Sequence, residues 1–261
     1  MPPNRLPQEC LMLKLASAHC SHPGKRDINE DAIGMRIRSE DACFILSDGV
    51  GGESGGYHAA RLAIHAALKR FETHGSAGLE QLALGSMAAA HAAILAEQSR
   101  SPEHSRMAAT MIGLFIDRRR GLAQWIHAGD SRLYLFRRGV LVQRTRDHSL
   151  TAQLAAAGLP HENVNPNLLV HSLGRGDMES LHPAAPWSLE DGDAYLLCSD
   201  GFWNALSDRE LEVQLQLAAS VEDWIALLSH KVGCRGMQDN YSAIAIWVGD
   251  PQSITLAAVR Q

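Results

Sequence analysis

The sequence lacks any closely spaced cysteine pair: its five cysteines, Cys10, Cys20, Cys43, Cys198 and Cys234, are odd in number and widely scattered. That scatter excludes a disulfide framework and zinc-type spacing, and Cys43 and Cys198, inside apolar strand-like runs, read as reduced core residues. The 13 histidines likewise show no metal-site spacing. Basic charge is not in excess either, with 24 Lys and Arg against 29 Asp and Glu and a net charge of -5. Without a basic excess or a run of like charge, nucleic acid and anionic membranes are not expected partners. No uninterrupted apolar run approaches the ~20 residues of a membrane span, the opening MPPNRLPQEC carries no signal core, and no solenoid-period repeat is visible. A monomer in a reducing cytoplasm is the expectation.

What is present is a long chain, 261 residues, able to bury a core without disulfides. Its organising stretch is ACFILSDGVGGESGG, Ala42 to Gly56. An apolar run there reads as a buried strand, broken by Ser47, Asp48 and glycines before a helical pattern from Tyr57. Glycines at 49, 51 and 52 let the backbone turn sharply and approach a ligand. Taken alone, Asp48 reads equally well as a turn residue.

Residues 1–10, with three prolines, are expected to form a loose arm, and 250–261 a tail. Strands are expected at Leu11–Ala18, Ala32–Ile37, Cys43–Leu46, Met107–Ile116, Leu122–His127, Arg132–Phe136, Val140–Gln143, Leu168–Leu173, Ala194–Cys198 and Asn240–Val248. Helical spacing marks Tyr57–Glu72, the alanine-rich Leu79–Gln98, a short Ser149–Ala157 capped by Ser149, Asp208–Ala218 behind a Ser207/Glu210 capping box, and Val221–Val232. Strand groups alternating with helix pairs indicate two helix-covered sheets rather than a doubly wound parallel sheet. A hairpin joining the second and third strands would carry Asp31 and Asp48 to one end of a sheet.

Asp48 and Asp200 each end an apolar strand before glycine, and Asp239 opens one. Clustered carboxylates repel unless cations neutralise them, and oxygen ligands without sulfur or imidazole favour Mg2+ or Mn2+. Single aspartates have a turn explanation, but three in matched contexts point to a metal site.

Seven segments then carry a resemblance: GKRDINEDA (Gly24 to Ala32), SDGVGG (Ser47 to Gly52), MAAT (Met107 to Thr110), GDSRLY (Gly129 to Tyr134), DHSL (Asp147 to Leu150), SDGFWNALSDREL (Ser199 to Leu211) and DNYSAIAIWV (Asp239 to Val248). Their order resembles that of the bacterial PP2C family of metal-dependent serine/threonine protein phosphatases, over a domain spanning 11–249. The resemblance implies an α+β fold, a β-sandwich of two antiparallel sheets flanked by pairs of α-helices (α-β-β-α). It also implies two core Mn2+ or Mg2+ ions and direct hydrolysis of phosphoserine or phosphothreonine by a metal-bridging water. By position, Asp48 resembles the bridging ligand and Gly49 offers its carbonyl, while Asp200 and Asp239 match the other direct ligands of the first ion. Glu30 resembles the residue that holds the second ion through water, Asp31 supports the water network, and Arg26 receives the substrate phosphate. Asp130 resembles the acid that shares a third ion with Asp200.

Asp147 and His148 are read as loop-fixing residues outside the site. Ser47 and Ser199, not in a nucleophile elbow, are read as packing and turn residues. Val50 stands where some eukaryotic relatives place a histidine, which leaves the leaving-group acid open; MAAT replaces the usual glycine-threonine pair, and the loop between His148 and Leu168 is short. Expected partners are phosphorylated proteins of a serine/threonine kinase system, with a secretion-associated setting open. Two alternatives remain: a catalytically weak regulatory module on this fold, which would lack core acids, and a phosphodiesterase using the same metals.

Overall fold

A computed structural model describes residues 13–50, 54–75, 78–165 and 167–249. The arm at 1–10, the tail at 250–261, Cys10, Gly51 and Gly52 lie outside the described residues. Among the described residues there are twelve strands: β1 (Leu15–His22), β2 (Ala32–Ile37), β3 (Asp41–Ser47), β4 (Gly49–Val50), β5 (Ala108–Ala109), β6 (Met111–Asp117), β7 (Leu122–Ala128), β8 (Arg132–Arg137), β9 (Val140–Arg144), β10 (Trp187–Ser188), β11 (Asp193–Cys198) and β12 (Tyr241–Val248). The helices are α1 (Ser54–Glu72), α2 (Leu79–Arg100), α3 (Leu150–Ala156), the single turn α4 (Asp200–Trp203), α5 (Asp208–Leu217) and α6 (Val221–Cys234).

Two five-stranded antiparallel sheets, ordered β1-β12-β11-β8-β9 and β10-β7-β6-β3-β2, stack face to face. Strand alternation sends Phe44, Leu46, Ile112 and Leu114 from one sheet and Leu135, Leu197, Ile244 and Ile246 from the other into the inter-sheet core. The opposite faces are buried as well. Cys43, Ile45, Met111 and Phe115 meet α1 and α2, whereas Ala243, Ala245 and Trp247 meet α5 and α6. Burial on both faces explains why β12 reads as a mostly apolar run, with all eight residues buried. The layers are therefore α-β-β-α.

α2 is, by length and hydropathy, apolar enough to cross a membrane. Here its Leu82, Ala83, Met87, Ala90 and Ile94 form part of the core beneath α1, a use that alanine-rich helices serve by close approach.

Several elements differ from expectation. β1 lies at Leu15–His22 rather than Leu11–Ala18, because it pairs along all eight residues of β12, ending with His22 beside Tyr241. Its polar residues conceal an edge strand. The Met107–Ile116 run is cut in two at Thr110, whose side chain is engaged elsewhere. Leu168–Leu173 is not a strand: only isolated bridges join Leu169 to Ser149 and Leu173 to Ala109. The two caps are present, with Ser149 Oγ accepting from the Ala152 amide and Ser207 and Glu210 exchanging both capping-box bonds.

Candidate metal centre

Asp48 leaves the end of β3 and is gripped by the neighbouring strand. Its amide donates to Thr110 Oγ1 at 3.0 Å, and its carbonyl accepts from the Thr110 amide at 2.8 Å. Thr110 is held in turn by a 2.7 Å hydroxyl contact with Ser131, and Ser47 Oγ donates to the Thr110 carbonyl at 2.7 Å. The break in the strand at Thr110 is therefore what orients Asp48. Gly49 follows in β4, pairs with Ala109, and donates its amide to the Glu30 carbonyl at 3.3 Å. A side chain at Gly49 would stand 2.4 Å from Gly56, so only glycine allows this approach.

The β2–β3 hairpin pairs Ala32 with Ser47, which brings Glu30 and Asp31 to the level of Asp48. The β11–β12 pairing of Cys198 with Ala243 does the same for Asp200 and Asp239. Asn240 ties these groups together. Its Oδ1 accepts from the Glu30 amide at 2.9 Å, while its Nδ2 donates to the carbonyls of Pro23 and Ile28. Asp31 lies behind the others, 5% exposed, with Oδ2 accepting from Ser199 Oγ at 2.8 Å. Its Oδ1 has no partner among the described residues.

Asp130 enters from the β7–β8 turn. Trp203, three residues after Asp200 on α4, donates its indole N–H to the Asp130 carbonyl at 2.9 Å. The guanidinium of Arg132 lies 3.3 Å over that indole and forms a two-bonded pair with Asp147 at 2.7 and 2.8 Å. One stack thus fixes Asp130 relative to Asp200, and it gives Asp147 a concrete structural role.

Arg26, Glu30, Asp48, Gly49, Asp130, Asp200 and Asp239 all line one cavity of about 420 Å³ at the end of the sandwich. Asp31 supports it from outside. With Asp27, six carboxylates face a single guanidinium, which bonds Asp239 at 3.1 Å in a half-exposed pair. Burial pushes the Asp48 carboxyl well above the usual range, and Asp31, Asp200, Asp130 and Asp239 add repulsion. Burial, reinforced by Asp200, pushes Asp130 up to about 7. Burial also pushes Asp31 up to about 6, against the lowering hydrogen bonds of Ser242 and Ser199. Burial raises Asp200, with Asp239 next, and burial raises Glu30.

This donor set fits hard divalent cations: all oxygen, excess negative charge, and an orphaned carboxylate oxygen close by. Among the described residues, no three His, Cys, Asp or Glu side chains form a ready cage.

The cavity also includes residues that sequence reasoning did not select: Asp27, Ile28, Thr110, Asn167, Leu169 and Asn240. Asn240 carried a signal, as a polar residue just before a mostly apolar strand. Asn167 and Leu169 carried none, because only the fold of the 149–173 segment brings them to the cavity.

With this geometry in place, the chain can be set beside known proteins. The family model described as Protein phosphatase 2C matches residues 20–240. The serine/threonine protein phosphatase PstP of Mycobacterium tuberculosis is 30% identical over 200 residues, covering 72% of this chain and 38% of that protein. The serine/threonine phosphatase stp of Listeria monocytogenes is 31% identical over 126 residues, covering 46% of this chain and 49% of that protein. The matched regions thus span less than half the length of these curated relatives. Among solved structures, the catalytic domain of PstP in complex with two manganese ions superposes with a TM-score of 0.77 at 28% identity, covering 91% of this chain and all of that one. PppA, described as a key regulatory component of the type VI secretion system in Pseudomonas aeruginosa, superposes with a TM-score of 0.71 at 25% identity, covering 90% of this chain and 97% of that one. The chain belongs to the protein phosphatase 2C family.

Proposed function

We propose that the chain is a metal-dependent protein serine/threonine phosphatase that hydrolyses phosphoserine and phosphothreonine. The observation that carries this reading is the convergence of six carboxylates and one guanidinium on a single cavity, at the ends of β2, β3, β11 and β12 and the β7–β8 turn. Asp48 would bridge two Mn2+ or Mg2+ ions, with the Gly49 carbonyl, Asp200 and Asp239 on the first, Glu30 acting on the second through water, and Asp130 sharing a third with Asp200. When bound, such ions supply an activated water at neutral pH and absorb charge on the phosphoryl oxygens.

The chain's own residues do the rest. Arg26 exchanges its surface pairing with Asp239, worth ~0–1 kcal/mol, for a two-pronged grip on phosphoryl oxygens. Asp31, steadied by Ser199, offers to ordered water the Oδ1 that has no partner among the described residues. Thr110 and Asn240 hold the backbones of Asp48 and Glu30 in place. Substrates are phosphorylated proteins of a serine/threonine kinase system, and the likeness to PppA makes a secretion-associated setting a specific case to test. The reading places the protein in the cytoplasm as a monomer; its four described cysteines are unpaired, as a reducing compartment would leave them.

Asp48→Asn and Asp239→Asn test the proposal with para-nitrophenyl phosphate and Mn2+, using circular dichroism to follow the fold. Turnover should disappear in both, exceeding the ~10–100-fold loss typical of changes around a metal's ligands. Folded variants that both retain turnover overturn it.

A further inference from the structure

Beside the acid-lined cavity lies a second cleft of about 360 Å³ with the opposite electrostatic character. Val50 lines both, and Gly56, which lines the second, packs so close to Glu30 that an added Cβ would stand 2.9 Å from its Oε1. Arg106 and Arg175 line this second cleft, against one lining carboxylate among the described residues, Glu103. Both arginines are exposed, and neither makes an ion pair among the described residues. In a chain of net charge -5, this is a local positive site next to an anionic one.

The cleft is built on a rigid support. Arg106 and Arg175 come from segments 69 residues apart, yet Arg175 Nη2 donates to the Arg106 carbonyl at 3.2 Å. One amide, Gln98 Nε2 on α2, donates to the carbonyls of both Met107 and Gly174, at 2.8 and 2.9 Å. Those carbonyls belong to the chain neighbours of the two arginines. Gly174 has φ +82°, and a Cβ there would strike Ile94, the Met107 carbonyl and Gln98 within 2.9 Å, so glycine is required for this approach. Leu173 then bridges to Ala109, the strand partner of Gly49. The backbones that carry the two arginines are therefore held in register with the backbone that carries the candidate metal site.

Resting on the phosphatase reading above, we propose that the Arg106–Arg175 cleft is a substrate subsite for a second anionic group, a carboxylate or a phosphate, on the same polypeptide as the phosphoryl group being hydrolysed. Guanidinium forks suit both anions, and phosphate, with more charge and more acceptor oxygens, gains more. Since Val50 lines both cavities and an extended chain advances about 3.3 Å per residue, the second anion sits on the order of two to four residues from the first. Acidic or multiply phosphorylated segments are the substrates this surface selects.

The test compares kcat/KM for matched phosphothreonine peptides carrying a neutral flank, a glutamate, or a second phosphothreonine two to four residues to either side. The wild type should favour the glutamate peptide ~3-fold and the doubly phosphorylated one ~10-fold or more on one side, with the preference shrinking in high salt. Arg106→Ala and Arg175→Ala should bring the ratios toward one, and Arg106→Glu should invert them. Equal turnover of all peptides by the wild type, or ratios unchanged in the variants, overturns the subsite while leaving the phosphatase reading standing. No turnover of any peptide overturns both.

Discussion

Replacing Arg132 with methionine tests whether the stack under Asp130 is structural support for the site. Arg132 and Asp147 are only 16% and 15% exposed, and their two bonds of 2.7 and 2.8 Å leave Asp147 dependent on the guanidinium. Removing one partner of a buried pair costs about 3–5 kcal/mol, and a cation stacked on indole adds about 0.5–2. Residual exposure of both groups places the expected loss near the low end, about 3 kcal/mol. For a domain of this size that lowers Tm by about 6–12 °C and leaves a folded protein. The double variant Arg132→Met/Asp147→Leu should recover at least half of the loss, because no unpaired charge stays buried. Thermal melts of the four proteins supply the cycle. Calorimetric Mn2+ titration supplies a second readout, with affinity falling ~10–100-fold once Trp203 no longer pins Asp130. A single variant within 2 °C of wild type (about 1 kcal/mol), or a double variant as unstable as the sum of the singles, refutes the reasoning.

Two further predictions concern acid and backbone. His148 stacks at 4.1 Å on His127 and meets His171 edge-on at 5.3 Å, its Nδ1 has no partner among the described residues, and burial, with those two imidazoles, pushes its pKa down to about 3. Its neutral form is thus the folded form: stability is full above the unfolded value near 6.5 and is lost as pH falls toward 3, by about 2 kcal/mol at pH 5. Subtracting a His148→Phe profile from wild type isolates this slope from the cavity carboxylates, whose raised pKa values act in the opposite direction; a zero difference between pH 7 and 5 counts against it. Gly129 has φ +101°, and a Cβ there would fall 2.6 Å from Thr110 Cγ2, whereas Gly121, at φ +63°, has nothing within 4 Å. Gly129→Ala should cost about 1–3 kcal/mol more than Gly121→Ala and reduce Mn2+-dependent turnover through Thr110 and Asp48; equal melting temperatures would contradict this.

The candidate acids were legible because their signal is local. Asp48 and Asp200 each follow an apolar run and precede glycine; antiparallel pairing sets Asp48 beside Glu30 in one sheet and Asp200 beside Asp239 in the other, and the stacking of the two sheets joins these pairs. Ala32 paired with Ser47 and Cys198 with Ala243 are the registers this requires. Capping at Ser149 and Ser207 was legible for the same reason, since each bond spans three residues. The exact course of β1 was not, because its pairing with β12 depends on a partner more than 200 residues away rather than on its own mixed composition.

By itself, then, the sequence determined the alternation of strands and helices, the oxygen-only character of the acid cluster, and the ordered motifs of a family. Tertiary structure alone decided what surrounds that cluster. Thr110 leaves its strand to orient Asp48, Trp203 and Arg132 link Asp130 to Asp200, and Gln98 sets Arg106 beside Arg175. These contacts join residues far apart in the chain through single side-chain bonds, which leave no periodic or compositional trace, and so they exist only once both sheets and their helices have closed.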